Sequence, residues 1–262
     1  MPKLTYSIED RVATLVLNHP PQNRIDVQMA SELAEALDAV ERSDARVVLL
    51  RADGPDFSFG GDIVDWPNMD VRELRTLFER YMSVFNRFER LPLPVIAAVH
   101  GLCFGGGFEL AVRADVIFAA ESARFGHPEQ SLGIVTLLGG IYRVAERAGR
   151  SRASEWALTS EQVPAPVMAA AGVVNRVVPD AALVTEATAF AQRLAGGPTR
   201  AYAAHKALLR AWAVGGVAAA DEAMFDIAMP LFETEDVKAA LPSAVNAIKA
   251  GKPRPVLEFQ GH

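Results

Sequence analysis

Val95-Ile96-Ala97-Ala98-Val99-His100-Gly101-Leu102-Cys103-Phe104-Gly105-Gly106-Gly107-Phe108-Glu109-Leu110 is the stretch on which the reading of this chain turns. The uninterrupted apolar run at 95–99 suits a strand buried on both faces, as in a parallel sheet covered by helices. A glycine-rich turn follows, and a helix is predicted from about residue 106. Glycine admits positive φ and lets a ligand approach the main chain. Where such a turn opens a helix, unpaired N–H groups and the positive end of the dipole favour negative charge. Glu109 lies three residues past Gly106, on the same side of the new helix and one turn deeper. It stands in an apolar run, 108–112, where an unpaired carboxylate is costly. Two readings are open at this point: a residue balancing the dipole in a first helical turn, or an acid directed at a ligand. The phosphate-cradle fingerprints do not fit, because Gly105-Gly106-Gly107 is followed by neither Lys-Ser nor Lys-Thr and lacks the G-x-G-x-x-G spacing.

Outward from this segment, strands and helices alternate. Residues 4–7 and 12–17 read as a β-hairpin. Asp26 is a candidate N-cap for a helix to about residue 42, with Met29, Leu33, Leu37 and Val40 on one face. A buried strand is predicted at 47–50, a helix at 71–91 stopped by Pro92 and Pro94, and a further strand at 116–119. This order implies an α/β fold with right-handed connections and a mostly parallel sheet. Past about residue 179 the chain is Ala-rich and reads as three or four helices, interrupted at Gly196-Gly197-Pro198, Gly215-Gly216 and Pro230, with an extended tail at 251–255. The division expected is an α/β core at 1–195 and a helical subdomain at 196–262.

A chain of 262 residues is long enough for one large core with a short appendage. A net charge of −6 without clustered Lys and Arg speaks against a nucleic-acid surface. Cys103 is the single cysteine, so neither an intrachain disulfide nor a cysteine metal cluster can form, and no metal is expected. The N-terminal residues lack signal-peptide character and no apolar stretch reaches the length of a membrane span; a cytoplasmic location is the expectation.

Two further segments could carry chemistry. Phe57-Ser58-Phe59-Gly60-Gly61-Asp62-Ile63 is a second glycine turn after a buried strand, and Arg124-Phe125-Gly126-His127-Pro128-Glu129, followed by Leu132-Gly133-Ile134, places an acid just past a proline. Glu129 reads either as a cap of the next element or as a catalytic acid, and His127 as a structural hydrogen-bonder or a catalyst.

Together the three segments resemble the enoyl-CoA hydratase/isomerase (crotonase) superfamily over nearly the whole chain. The resemblance implies a spiral of ββα units with a C-terminal helical subdomain that oligomerises and covers the active site, in a homotrimer or a hexamer built as a dimer of trimers. It implies that the backbone N–H groups of Gly61 and Gly106 form an oxyanion hole for a thioester carbonyl and that Glu109 and Glu129 are the catalytic carboxylates. The substrate implied is an acyl-CoA thioester, with coenzyme A as part of the substrate and no separate cofactor. Phe59, Gly60, Asp62, Ile63, Gly105 and Leu137 fall at the substrate in this reading. Arg24 is a candidate for the nucleotide end of CoA, as are Lys252 or Arg254 of a neighbouring subunit, the other reading of each being a solvated charge.

Residues 135–143, Val-Thr-Leu-Leu-Gly-Gly-Ile-Tyr-Arg, depart from the family pattern by carrying leucines where many relatives have Pro-Gly-Ala before the Gly-Gly pair. With the bulky Phe59 and Trp66, this leaves the acyl group open. Two carboxylates favour hydration of a 2-enoyl-CoA over double-bond isomerisation, which needs one. Other acyl-CoA lyase or hydrolase chemistry, a Ser58/His127 peptidase and a non-catalytic CoA-binding protein are the competing readings.

Overall fold

The computed structural model describes residues 1–261. The hairpin of β1 (Leu4–Glu9) and β2 (Val12–Leu17) is antiparallel, and all other pairings of the main sheet are parallel. Its order is β1-β2-β3-β4-β6-β9, with β3 at Val47–Ala52, β4 at Val95–Val99, β6 at Val116–Ala120 and β9 at Arg176–Val178. The central strands are apolar without alternation because helices cover one face and the rest of the spiral the other. Helix α1 (Val27–Glu41) begins where the Asp26 side chain accepts the Met29 N–H (2.9 Å), and it buries Met29, Leu33, Leu37 and Val40 as its spacing predicts. Helix α2 (Val71–Arg90) starts at a reciprocal capping box between Asp70 and Glu73 and buries Tyr81, Phe85 and Phe88.

A second, small sheet positions the site. Strand β5 (Leu102–Phe104) pairs in parallel with β7 (Arg124–Gly126), which pairs with β8 (Val163–Pro164). Residue Ser58 adds a bridge to Cys103 on the free side of β5. The chain leaving β3, β4 and β6 therefore passes three times through the same layer, and the three motif segments stack as successive turns of one spiral. Phe104 N–H donates to Ser58 O (2.8 Å), and Gly105 N–H donates to Gly126 O (3.0 Å). Ser58 itself is fully buried, its hydroxyl donating to Asn23 O (2.8 Å) and accepting from Gly60 N–H (3.1 Å). It has no free hydroxyl for nucleophilic attack.

The helix after the glycine turn, α3, is short (Gly106–Ala111), because the chain must turn into β6 at once. Helices α4 (Gly140–Ala148), α5 (Arg150–Thr159) and α6 (Ala165–Ala170) cover the second layer, and α7 (Leu183–Ala195) packs on the main sheet. Then come α8 (Thr199–Ala228), which carries non-helical backbone at Gly215 and Gly216, and α9 (Glu235–Lys249). Residues 252–256 form the exposed, extended tail expected from the sequence, and 259–261 are tied back to the body of the chain. Phe259 N–H donates to Gly196 O (3.3 Å), the buried Arg46 donates to Phe259 O (2.7 Å), and Asp236 accepts the N–H groups of Gln260 (2.6 Å) and Gly261 (2.8 Å). Among the described residues no helix is long and apolar enough to cross a membrane.

Candidate active site

The two glycine turns meet. A Cβ placed on Gly60 would lie 2.7 Å from Gly106 N and 3.2 Å from Gly105 Cα, and one placed on Gly106 would lie 3.5 Å from Gly61 N. Gly60, at φ +89°, and Gly105, at φ +50°, occupy backbone that L-residues with side chains rarely adopt. The direction of the Gly61 N–H follows from its neighbours. Ile25 N–H donates to Gly60 O (2.8 Å) and Asp62 N–H donates to Ile25 O (2.9 Å), so the intervening Gly61 N–H points to the opposite side of the extended segment. The Gly106 N–H opens α3, where no preceding helical carbonyl exists to take it. Among the described residues neither N–H has an acceptor.

Both acids stand at the same place. Gly61, Gly105, Gly106, Glu109 and Glu129 line one cavity of about 270 Å³. The Glu129 Oε1 atom is 3.1 Å from the position a Cβ would take on Gly105. Glu109 is 2 % exposed, and its Oε1 accepts the N–H groups of Leu138 (2.8 Å) and Gly140 (2.9 Å). Burial raises its pKa above the usual carboxylate value, while those two N–H groups and the guanidiniums of Arg113 and Arg143 oppose the rise. Burial, reinforced by the nearby Glu109 charge, pushes Glu129 up to about 7, and its Oε2 is buried without a hydrogen-bond partner among the described residues. The two carboxyls have different partners in one cavity: Glu109 Oε1 is held by two N–H donors, whereas Glu129 Oε2 has none among the described residues.

His127 is buried and stacks on Phe108 with ring centroids 4.8 Å apart. It is not the hydrogen-bonder its residue type suggests, since neither ring nitrogen has a partner among the described residues. Its Nδ1 lies 3.9 Å from Glu129 Oε2, but burial lowers its pKa to about 4, so at neutral pH the contact is not an ion pair.

Of the other residues singled out from sequence, Arg24, Phe59, Ile63 and Leu137 line the cavity. Gly60 and Asp62 do not. Gly60 lies against the backbone of the second turn, and the Asp62 N–H is taken by Ile25 O. Among the described residues none past 195 lines the cavity. The remaining walls, Trp66, Phe78, Tyr81, Phe104 and Leu138 among them, are aromatic or aliphatic apart from Ser131. Trp66 meets Phe78 edge-on at 5.0 Å and lies over Gly61, where a Cβ would be 2.9 Å from the indole. Phe78 and Tyr81 are three apart on α2, a spacing that marks one helix face but not which cavity that face borders. No cluster of three or more His, Cys, Asp or Glu side chains suited to a metal occurs among the described residues.

Residues 7–247 match the family model described as enoyl-CoA hydratase/isomerase. The chain belongs to this family. It is 37% identical over 198 residues to a 1,2-epoxyphenylacetyl-CoA isomerase of Escherichia coli (strain K12), covering 73% of this chain and 76% of that one. It is 32% identical over 186 residues to a mitochondrial enoyl-CoA hydratase of Pongo abelii, covering 70% of this chain and 63% of that one. Among solved structures, an enoyl-CoA hydratase of Mycobacterium smegmatis superposes with a TM-score of 0.88 at 28% identity, covering 97% of this chain and 99% of that one. The fold is the crotonase spiral of these relatives. Membership in the enoyl-CoA hydratase/isomerase family gives the chain crotonase-type acyl-CoA chemistry, and the relatives' names already span more than one reaction.

Proposed function

We propose that this enoyl-CoA hydratase/isomerase family member adds water across the 2,3-double bond of a 2-enoyl-CoA thioester. The observation that carries the reading is the meeting of two unpaired N–H groups, from Gly61 and Gly106, with the buried Glu109 and the partly buried Glu129 on one cavity. Attack of water at the β-carbon moves negative charge onto the thioester oxygen, and donors already aimed at that oxygen stabilise the transition state by about 3–4 kcal/mol each in the best-measured cases. Glu109, ionised and fixed by the turn at Leu138 and Gly140, accepts the proton of the attacking water. Glu129, whose pKa raised to about 7 leaves about half of it protonated at neutral pH, delivers that proton to the α-carbon. After the addition the acids have exchanged protonation states, and a proton passing between them resets the pair. Coenzyme A enters as part of the substrate, with Arg24, which lines the cavity, as a partner for its phosphates, and no further cofactor is called for.

Isomerisation of a double bond is the second reading, favoured by the description of the family, which covers enoyl-CoA isomerases as well as hydratases. It would use Glu129 alone as the proton shuttle. Incubation with a panel of enoyl-CoA thioesters in ¹⁸O-water separates the readings by mass spectrometry. Label in a β-hydroxyl supports hydration, an unlabelled product of unchanged mass with a moved double bond replaces it with isomerisation, and free labelled acid replaces it with thioester hydrolysis.

We further propose that the chain assembles as a trimer or a dimer of trimers. Support comes from the large apolar side chains left exposed on and after α8, including Trp212, Val217, Phe225, Phe232 and Ile248, on a region that packs little on its own core. Light scattering should give three or six times the chain mass; a monomer at micromolar concentration would reject the assembly.

A further inference from the structure

Glu109 is tied to a charged cluster that the scheme above does not use. Glu89 on α2 accepts from Arg143 Nε (2.7 Å) and Nη2 (2.5 Å) and from Arg113 Nη1 (2.9 Å). Arg113 follows α3 directly and its side chain is fully buried; it also donates to Asn86 Oδ1 (2.8 Å) and to Leu138 O (2.6 Å). Arg143 on α4 donates to Gly139 O (3.1 Å). The turn at 138–140 is therefore held from both sides. Its N–H groups at Leu138 and Gly140 go to Glu109 Oε1, and its carbonyls at Leu138 and Gly139 go to Arg113 and Arg143.

On the hydratase reading, we propose that Arg113 and Arg143, joined through Glu89, are positioning residues that hold this turn so that Glu109 gives Oε1 to the protein and keeps Oε2 for the substrate water. Two features support more than a strut. Glu109 Oε2 accepts from no described residue although Glu109 lines the cavity, so the turn consumes one carboxylate oxygen and leaves the other free. Moreover, two guanidiniums sharing one carboxylate leave one formal positive charge beside Glu109, which opposes the cost of ionising an acid that is only 2 % exposed. The other titratable groups around Glu109 do not supply that charge. Glu129, from the turn after β7, is an acid, and His127 from the same turn is neutral at working pH. Arg147, further along α4, spends its guanidinium on the carbonyls of Val112, Ala114 and Val173. The cluster also holds the leucine-bearing segment that departs from the family pattern, because the Leu138 carbonyl is its anchor.

The test is the titration of Glu109 in the full chain labelled with δ-¹³C glutamate, its NMR signal assigned by its loss in Glu109→Gln. In Arg113→Met the midpoint of Glu109 should rise by about one unit or more. Steady-state kcat on the enoyl-CoA that the wild type hydrates should fall by about 10- to 100-fold, with KM within about threefold. Arg113→Lys should return the titration midpoint toward wild type but not the full kcat, since an ammonium restores the charge without the fork. Arg143→Gln, at a less buried site, carries the same test with a smaller shift should Arg113→Met not fold. An unchanged Glu109 midpoint together with unchanged kcat in a folded variant, judged by circular dichroism, overturns the proposal. A wild type that hydrates no enoyl-CoA overturns the hydratase reading instead, while the titration still decides whether the cluster governs Glu109.

Discussion

Substituting Gly60 by alanine tests the convergence of the two turns most directly. The new Cβ would stand 2.7 Å from Gly106 N, 3.0 Å from Phe104 O and 3.2 Å from Gly105 Cα. All three are backbone atoms on an element locked by the β5–β7 pairing, so no side chain can swing aside. Relief to an ordinary contact requires the turns to part by about 0.5–1 Å, because packed interiors do not tolerate sub-van-der-Waals approach. Strain from a left-handed φ at a non-glycine residue and overpacking together cost about 2–5 kcal/mol. For a chain of this size each kcal/mol lowers Tm by roughly 2–4 °C. The same separation pulls the Gly61 and Gly106 donors apart, and a misplacement on the 1 Å scale costs on the order of 100-fold in kcat. Gly251→Ala is the control: its φ is +64° and nothing lies within 4 Å of its Cβ position, so it carries the backbone strain without the clash. Calorimetry and steady-state kinetics on an enoyl-CoA, run well below either variant's Tm, read both effects. A Gly60→Ala enzyme with wild-type kcat, or with a Tm equal to that of Gly251→Ala, refutes the claim that these turns form one rigid donor pair.

Glu129→Gln should abolish turnover while leaving CoA-thioester affinity within a few-fold, measured by calorimetric titration; full activity would remove Glu129 from the mechanism. The protonation of Glu129 also sets a stability profile. Its folded pKa of about 7 exceeds the ordinary 4.5, so its contribution is fully present below pH 4.5 and is lost as pH rises through 7. Denaturant titrations should show the wild type losing on the order of 3 kcal/mol relative to Glu129→Gln between pH 4.5 and 8, and parallel curves would contradict the raised pKa. With Glu129 as the donor, wild-type kcat/KM should fall about tenfold per pH unit above 7, and a flat profile to pH 9 would reject that role. Trp66→Ala removes the ring that lies over Gly61 and against Phe78, and should shift kcat/KM toward bulkier acyl groups by about tenfold in a substrate panel; an unchanged ranking would place the acyl group elsewhere.

Local sequence determined a good deal of this protein. The double-sided apolar runs of β3, β4 and β6, the Asp26 cap, the proline stops before β4 and the helical character past 179 follow from nearest-neighbour chemistry, which needs no knowledge of distant contacts. The glycine turns stood out because close backbone packing leaves a compositional mark, and Glu109 because a carboxylate in an apolar run does, while the pairing of Glu109 with Glu129 came from the family resemblance. Other features depend on residues far apart in the chain and were settled only by tertiary packing. Nothing near Gly60 reveals that it faces the second turn and not the cavity, nor that His127 stacks without a hydrogen bond. Trp66, Phe78 and Tyr81 read equally well as core until the fold brings their faces to Gly61 and Glu109. Arg113 looks like an isolated charge after α3, and only the approach of α2 and α4 supplies the carboxylate and carbonyls that let it be buried. Elements are encoded by short-range sterics and hydrophobic period, whereas the partner of each buried polar group is chosen by the path of the whole chain.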